Sequence, residues 1–108
     1  MALGRLPEAI TQIERAAQLD PLSAQVHSTF GRILYRARRW DEAIARLQRA
    51  IELEPRNAGA YSRLGNTYEQ MGKYDDALAS YAKQGALLGH SEGASRNMAS
   101  VYAGDGEG

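Results

Sequence analysis

The sequence predicts an all-α chain, a solenoid of antiparallel helix pairs with about six helices in its 108 residues. Three observations lead there. Ala24–Asn57 is restated nearly position for position 34 residues later. Within each copy the apolar residues recur at three- and four-residue spacing, the period of one helix face. Asp-Pro or Glu-Pro pairs (Asp20-Pro21, Glu54-Pro55) then punctuate the copies, because proline disfavours α geometry in the residue before it. A fixed period of this length marks a unit that buries its apolar face only by stacking on its neighbours.

The correspondence is specific. Gly31 returns as Gly65, Leu34 as Tyr68, Trp40 as Tyr74, Asp41-Glu42-Ala43 as Asp75-Asp76-Ala77, and Leu53 as Leu87. A single array over 1–108 follows: 1–23 as the second half of a repeat, 24–57 and 58–91 as full repeats, and 92–108 as a first-half helix. In the opening segment Pro7 suits a first helical turn and Glu8 suits the positive end of the helix dipole. Ala9, Ile10, Ile13, Ala16, Ala17 and Leu19 form its apolar stripe.

The first full repeat places Val26, Phe30, Ile33 and Leu34 on one helix, bends at Arg38-Arg39, and continues through Ile44, Leu47, Ala50, Ile51 and Leu53. The second uses Tyr61, Leu64 and Tyr68, bends at Gly72, and continues through Ala77, Leu78 and Tyr81. Gln84 and Gly85 interrupt that last stripe, and Gly89 stands where proline closed the earlier copies. Fraying or a kink is therefore expected near Gln84–Gly89. Mid-helix glycine costs roughly 0.5–1 kcal/mol against alanine. Gly31 and Gly65 thus predict a close approach of paired helices, with Ala43, Ala50 and Ala77 as the small partners.

Taken together, Tyr61, Leu64-Gly65, Tyr68, Ala77 and Tyr81, with Phe30-Gly31, Leu34, Ala43, Leu47, Ala50 and Pro55, resemble the signature of the tetratricopeptide-repeat family. That resemblance covers essentially the whole chain. It implies a right-handed α-solenoid whose first-half helices line a concave groove that binds a peptide or protein segment. The phrases LDPLS, YRARRWDEAI and YEQMGKYDDALA are also similar to repeats in multidomain bacterial signalling proteins, where an array serves sensing or self-association.

Composition narrows the chemistry. Lysine plus arginine, 13, equals aspartate plus glutamate, 13, so no overall bias toward nucleic acid exists. Arginine supplies all the basic residues but Lys73 and Lys83, which favours paired contacts over diffuse attraction. Without cysteine there is no disulfide, thiolate metal site or cysteine nucleophile. No apolar run nears the roughly 20 residues that span a bilayer, and no signal peptide opens the chain; a cytoplasmic protein with no membrane partner is expected. His27 and His90 lie far apart with no carboxylate at ligand spacing, and His27 falls at a semi-buried repeat position, so packing is its expected role. The acidic pairs read as helix-start charges. No enzyme and no cofactor is expected.

On the implied groove, the outer positions of the first-half helices include Arg32, Arg36, Arg63, Asn66, Glu69, Gln70, Arg96 and Asn97. Arg32, Arg63 and Arg96 are expected to form a ladder for the carboxylates of an acidic peptide, since guanidinium forks match that geometry. Asn66 and Asn97 fall on the two asparagine places of a family sub-type that clamps a C-terminal carboxylate, but Ser62 replaces the lysine that such a clamp needs. The two open ends of the array, Ala9, Ile13 and Ala16 at one and Met98, Ala99 and Tyr102 at the other, are halves of one repeat. They predict head-to-tail self-association.

Overall fold

The computed structural model describes residues 5–89, and these form five helices: α1 Leu6–Leu19, α2 Ala24–Arg36, α3 Trp40–Leu53, α4 Ala58–Gln70 and α5 Tyr74–Leu88. The chain divides into two compact units, Met1–Pro55 and Arg56–Gly108. That boundary lies next to the repeat boundary expected at Ala58. The helix expected after residue 91 lies outside the described residues.

Local chemistry starts and stops each helix. The first helix of each repeat has a side-chain N-cap: Ser23 Oγ accepts from the Val26 N–H at 3.2 Å and Asn57 Oδ1 from the Ala60 N–H at 3.0 Å. The second helix begins at Arg39 or Lys73, with no side-chain cap bond and two acidic residues in the first turn. Asp41-Glu42 and Asp75-Asp76 therefore act as the helix-start charges expected of them. Both hairpin bends are Schellman turns. The Arg39 N–H donates to the Leu34 carbonyl and the Arg38 N–H to that of Tyr35; Lys73 with Tyr68 and Gly72 with Glu69 repeat the pattern. The turn requires a left-handed residue, and Gly72 supplies it at φ 76° whereas Arg38 is held at φ 61°.

At the other ends, Asp20 and Glu54 leave helical geometry with φ near −140° in front of their prolines. Gly89 changes that outcome. The expected interruption near Gln84–Gly89 is not found: α5 runs unbroken through Gln84 and Gly85, and Gly89 caps it at φ 81°. Without a following proline, nothing excludes Leu88 from the helix, and glycine accepts the left-handed cap.

In the first unit, Ala17, Phe30, Leu34 and Ala43 form the core, with Ile10, Ile13, Val26 and Tyr35 packed against it. Tyr35 meets Trp40 edge-to-face across the bend, ring centroids 5.3 Å apart. In the second unit, Ala77 and Tyr81 are flanked by Tyr68, Tyr74 and Leu78. The buried Thr67 and Ser80 hydroxyls are satisfied within their own helices: Thr67 donates to the Arg63 carbonyl at 2.8 Å and Ser80 to that of Asp76 at 3.0 Å.

The close approach at the repeat glycines is real, but its partners differ from those expected. A Cβ on Gly31 would lie 2.6 Å from Cγ of Leu47, with the Ala43 carbonyl oxygen at 3.4 Å. A Cβ on Gly65 would lie 2.7 Å from Cδ1 of Tyr81, and Ala77 is not among its nearest contacts. Glycine makes room for a large side chain one turn along the partner helix. The alanines keep the helix axes close enough for that side chain to reach the glycine.

Candidate protein-interaction surface

The predicted binding residues that the structure describes lie on α2 and α4. On α2, Phe30 and Leu34 point inward. At ~100° per residue, Arg32 and Arg36 lie about 200° and 240° round the helix from Phe30, and both are exposed. The α2 sequence AQVHSTFGRILYR contains no acidic residue. Among the described residues neither arginine takes part in an ion pair.

The corresponding face of α4 is built differently. Asn66 and Glu69 are half-buried, and the Tyr81 hydroxyl lies 2.6 Å from Asn66 Oδ1 and 2.9 Å from Glu69 Oε1. That hydroxyl carries a single proton, and an Asn66 amide turned to donate to the phenol oxygen leaves the proton for Glu69. Arg63 is half-buried and Gln70 exposed. Arg32 and Arg63 are not register equivalents: the partner of Arg32 in the second repeat is Asn66, and that of Arg63 in the first is Thr29. Arg96, Asn97, Met98, Ala99 and Tyr102 lie outside the described residues.

A second feature was not legible in the sequence. A cleft of about 510 Å³ opens in the first unit, lined by Glu14, Ala17 and Gln18 of α1, Phe30 and Leu34 of α2, and Glu42, Ala45, Arg46 and Arg49 of α3. One of these, Arg46, has its guanidinium carbon 4.3 Å from the centroid of the Phe30 ring. Arg46 Nη1 also donates to His27 Nδ1 at 3.4 Å. Because arginine only donates, Nδ1 is the acceptor, and Nε2 carries the proton it gives to the Pro21 carbonyl at 2.8 Å. His27 is buried, 4% exposed, with both ring nitrogens occupied. It is the packing residue that its position predicted, and it ties the α1–α2 turn to α3. Arg46 had no such signal, since it lies beside the apolar stripe of α3 rather than on it.

At the rim, Arg39 grips Glu42 through Nε at 2.8 Å and through Nη2. This hydrogen bond, with the arginine's charge, holds the Glu42 carboxyl below its ordinary range and raises the Arg39 guanidinium in turn. Arg49 meets Glu52 at 3.5 Å. Among the described residues no group of histidine, aspartate and glutamate could hold a metal ion, and no helix is long and apolar enough to cross a membrane.

The fold has relatives of known structure. A crystal structure of MamA superposes with a TM-score of 0.87 at 31% identity, covering 98% of this chain and 62% of that one. The present chain thus spans about three fifths of that relative. The first TPR of Spaghetti (RPAP3), bound to the HSP90 peptide SRMEEVD, gives 0.86 at 19% identity over 95% of this chain and 82% of the other. The Arabidopsis OM64 TPR domain gives 0.85 at 17% identity over 93% and 83%. No curated protein sequence matches. Family patterns for the TPR repeat and the tetratricopeptide repeat match residues 31–72 and 60–92 respectively. With its helical hairpins, repeat glycines and Schellman bends, the chain belongs to the tetratricopeptide-repeat family.

Proposed function

We propose that this protein is an interaction scaffold whose first-half helices bind an acidic peptide or protein segment, through Arg32 and Arg36 on α2 and Arg63, Asn66, Glu69 and Gln70 on α4. Arg96 and Asn97 extend the same reading. One observation carries it. Arg32 and Arg36 are like charges four residues apart on an exposed face with no acidic residue in the helix, an arrangement that destabilises a helix by about 0.2–0.5 kcal/mol. Arg36 recovers part of that at the helix C-terminus; Arg32, mid-helix, does not. A partner carboxylate supplies the missing counter-charge. The acidic HSP90 peptide held by the RPAP3 repeat shows that this fold accommodates such a ligand in another protein.

The test is fluorescence titration of the full chain with acidic and neutral peptides of equal length at several salt concentrations. Acidic peptides should bind more tightly, with affinity falling as salt rises. Replacing Arg32, Arg63 and Arg96 together by alanine should remove both the preference and the salt dependence. Equal binding of acidic and neutral peptides retires the proposal.

A second reading, self-association, is favoured by the state of α1. Ala43, Leu47 and Ala50 are 0% exposed, yet their register equivalents Ala9, Ile13 and Ala16 are only half-buried, and Leu19 is 80% exposed. A second copy docking a helix there would complete the burial. Light scattering over a wide concentration range tests it, with Ile13→Glu expected to weaken association; a monomer at millimolar protein ends it.

A further inference from the structure

The cleft of the first unit is a separate surface from the Arg32–Arg36 face, since its floor is the opposite side of α2. Its cation Arg46 has no hydrogen-bonded counter-ion among the described residues. Arg46 is half-buried, and the two groups in direct contact with it are the Phe30 ring and the His27 imidazole. No ion pair among the described residues includes it. The nearby Glu42 carboxylate feels the Arg46 charge but is hydrogen-bonded to Arg39. A partly desolvated charge that shares its nearest carboxylate with another cation recovers only part of the Coulombic return that offsets burial. One helical turn on, Arg49 lines the same wall, and its single 3.5 Å contact with Glu52 is solvent-exposed. The facing wall carries Glu14, exposed and outside every described ion pair, beside Gln18. Glu14 helps to raise the Arg39 guanidinium, but that guanidinium is hydrogen-bonded to Glu42.

We propose that this cleft is a second docking site, taking a protein segment that presents a carboxylate to Arg46 and Arg49 and a basic side chain to Glu14. Charge complementarity selects that occupant. Glu14 and Glu42 oppose a uniformly anionic ligand such as nucleic acid, and the two arginines oppose a uniformly cationic one. The cleft volume is in the range of pockets that enclose a few side chains, roughly 300–1,000 Å³.

The experiment is NMR titration of the full chain, observing the arginine Nε–H groups and the Ala17 and Ala45 methyls. Three capped peptides of one length are compared: one carrying a glutamate and a lysine, one two glutamates, one two lysines. The mixed peptide should shift the Arg46, Arg49 and alanine signals saturably, with the other two weaker by roughly tenfold. Arg46→Lys and Glu14→Gln should each weaken the mixed peptide, while Arg32→Ala leaves it unchanged. Should Arg46→Lys disturb the fold, Arg49→Gln and Glu14→Gln, both at the rim, carry the comparison alone. No saturable shift, equal shifts from all three peptides, or a response that follows Arg32 overturns the proposal.

Discussion

Substituting Gly65 by leucine tests the packing of the second unit at its tightest point. Even the first added carbon would lie 2.7 Å from Cδ1 and 2.8 Å from Cζ of Tyr81, against an optimal carbon–carbon separation of about 3.5–4.0 Å. The ring has nowhere to go. Tyr81 is 0% exposed, and its hydroxyl is fixed between Asn66 and Glu69. Overpacking costs about 1–3 kcal/mol, and a branched side chain against a pinned ring belongs at the upper end. Leucine regains up to ~1 kcal/mol of helix propensity over glycine, leaving a net loss near 2 kcal/mol. For a domain of this size that lowers Tm by about 8–16 °C. Thermal denaturation followed by circular dichroism reads the shift. A double-mutant cycle with Tyr81→Ala isolates the contact: the pair should be less destabilised than the sum of the singles by at least ~1 kcal/mol. A wild-type melting curve for Gly65→Leu, or strict additivity in the cycle, would refute the argument that the glycine exists to admit the ring.

Three further expectations follow from particular residues. Arg38 occupies the left-handed position that Gly72 fills in the second bend, so Arg38→Gly should stabilise the chain by about 0.5–1 kcal/mol; destabilisation in urea unfolding would show that the arginine side chain contributes more than its backbone strain. His27→Phe removes both ring hydrogen bonds, leaving the Pro21 carbonyl and an Arg46 donor unmatched, and should cost about 1–3 kcal/mol; an unchanged urea midpoint would show that solvent replaces them. Because the Glu42 carboxyl is lowered in the folded state, its pair with Arg39 contributes above the unfolded carboxylate pKa of roughly 4.3 and is lost as pH falls through the folded value. Between pH 7 and pH 3 the wild type should therefore lose slightly more stability than Glu42→Gln, and parallel acid limbs would remove the pair from consideration.

The fold was largely legible because each repeat signal has a direct physical cause. Pro21 and Pro55 exclude helix from the residue before them, and Gly72 turns the hairpin. Two features went the other way. Gly85 weakened the apolar stripe of α5 on paper, yet helix propensity is a small term and the unit's packing overrides it. The repeat glycines announced a close approach without saying to what. Spacing alone suggested the small alanines, whereas the structure places Leu47 and Tyr81 over them. The cleft was beyond reach for a different reason. Arg46 meets Phe30 and His27 across two helices, and no periodicity within one helix encodes such a contact.

The pair of residues covering the repeat glycines also separates the two candidate binding faces. Leu47 is apolar, so the first hairpin closes without touching the outer side of α2, and Arg32 and Arg36 there remain exposed and unpaired among the described residues. Ordering two such side chains on a ligand would cost about 0.5–1.5 kcal/mol each. Tyr81 reaches over Gly65, and its hydroxyl holds Asn66 and Glu69, the latter one turn along the same side of α4. The polar groups of the second unit's face are thus ordered before any ligand arrives, and anchored in the core of that unit. The first unit thus carries unpaired charge on α2, and the second a fixed hydrogen-bonding pair on α4. Charge sets the rate and salt dependence of encounter, whereas fixed polar groups penalise a mismatched ligand. If the proposed acidic segment binds, Arg32→Ala should therefore change chiefly the salt dependence of binding, and Asn66→Ala the discrimination among acidic peptides.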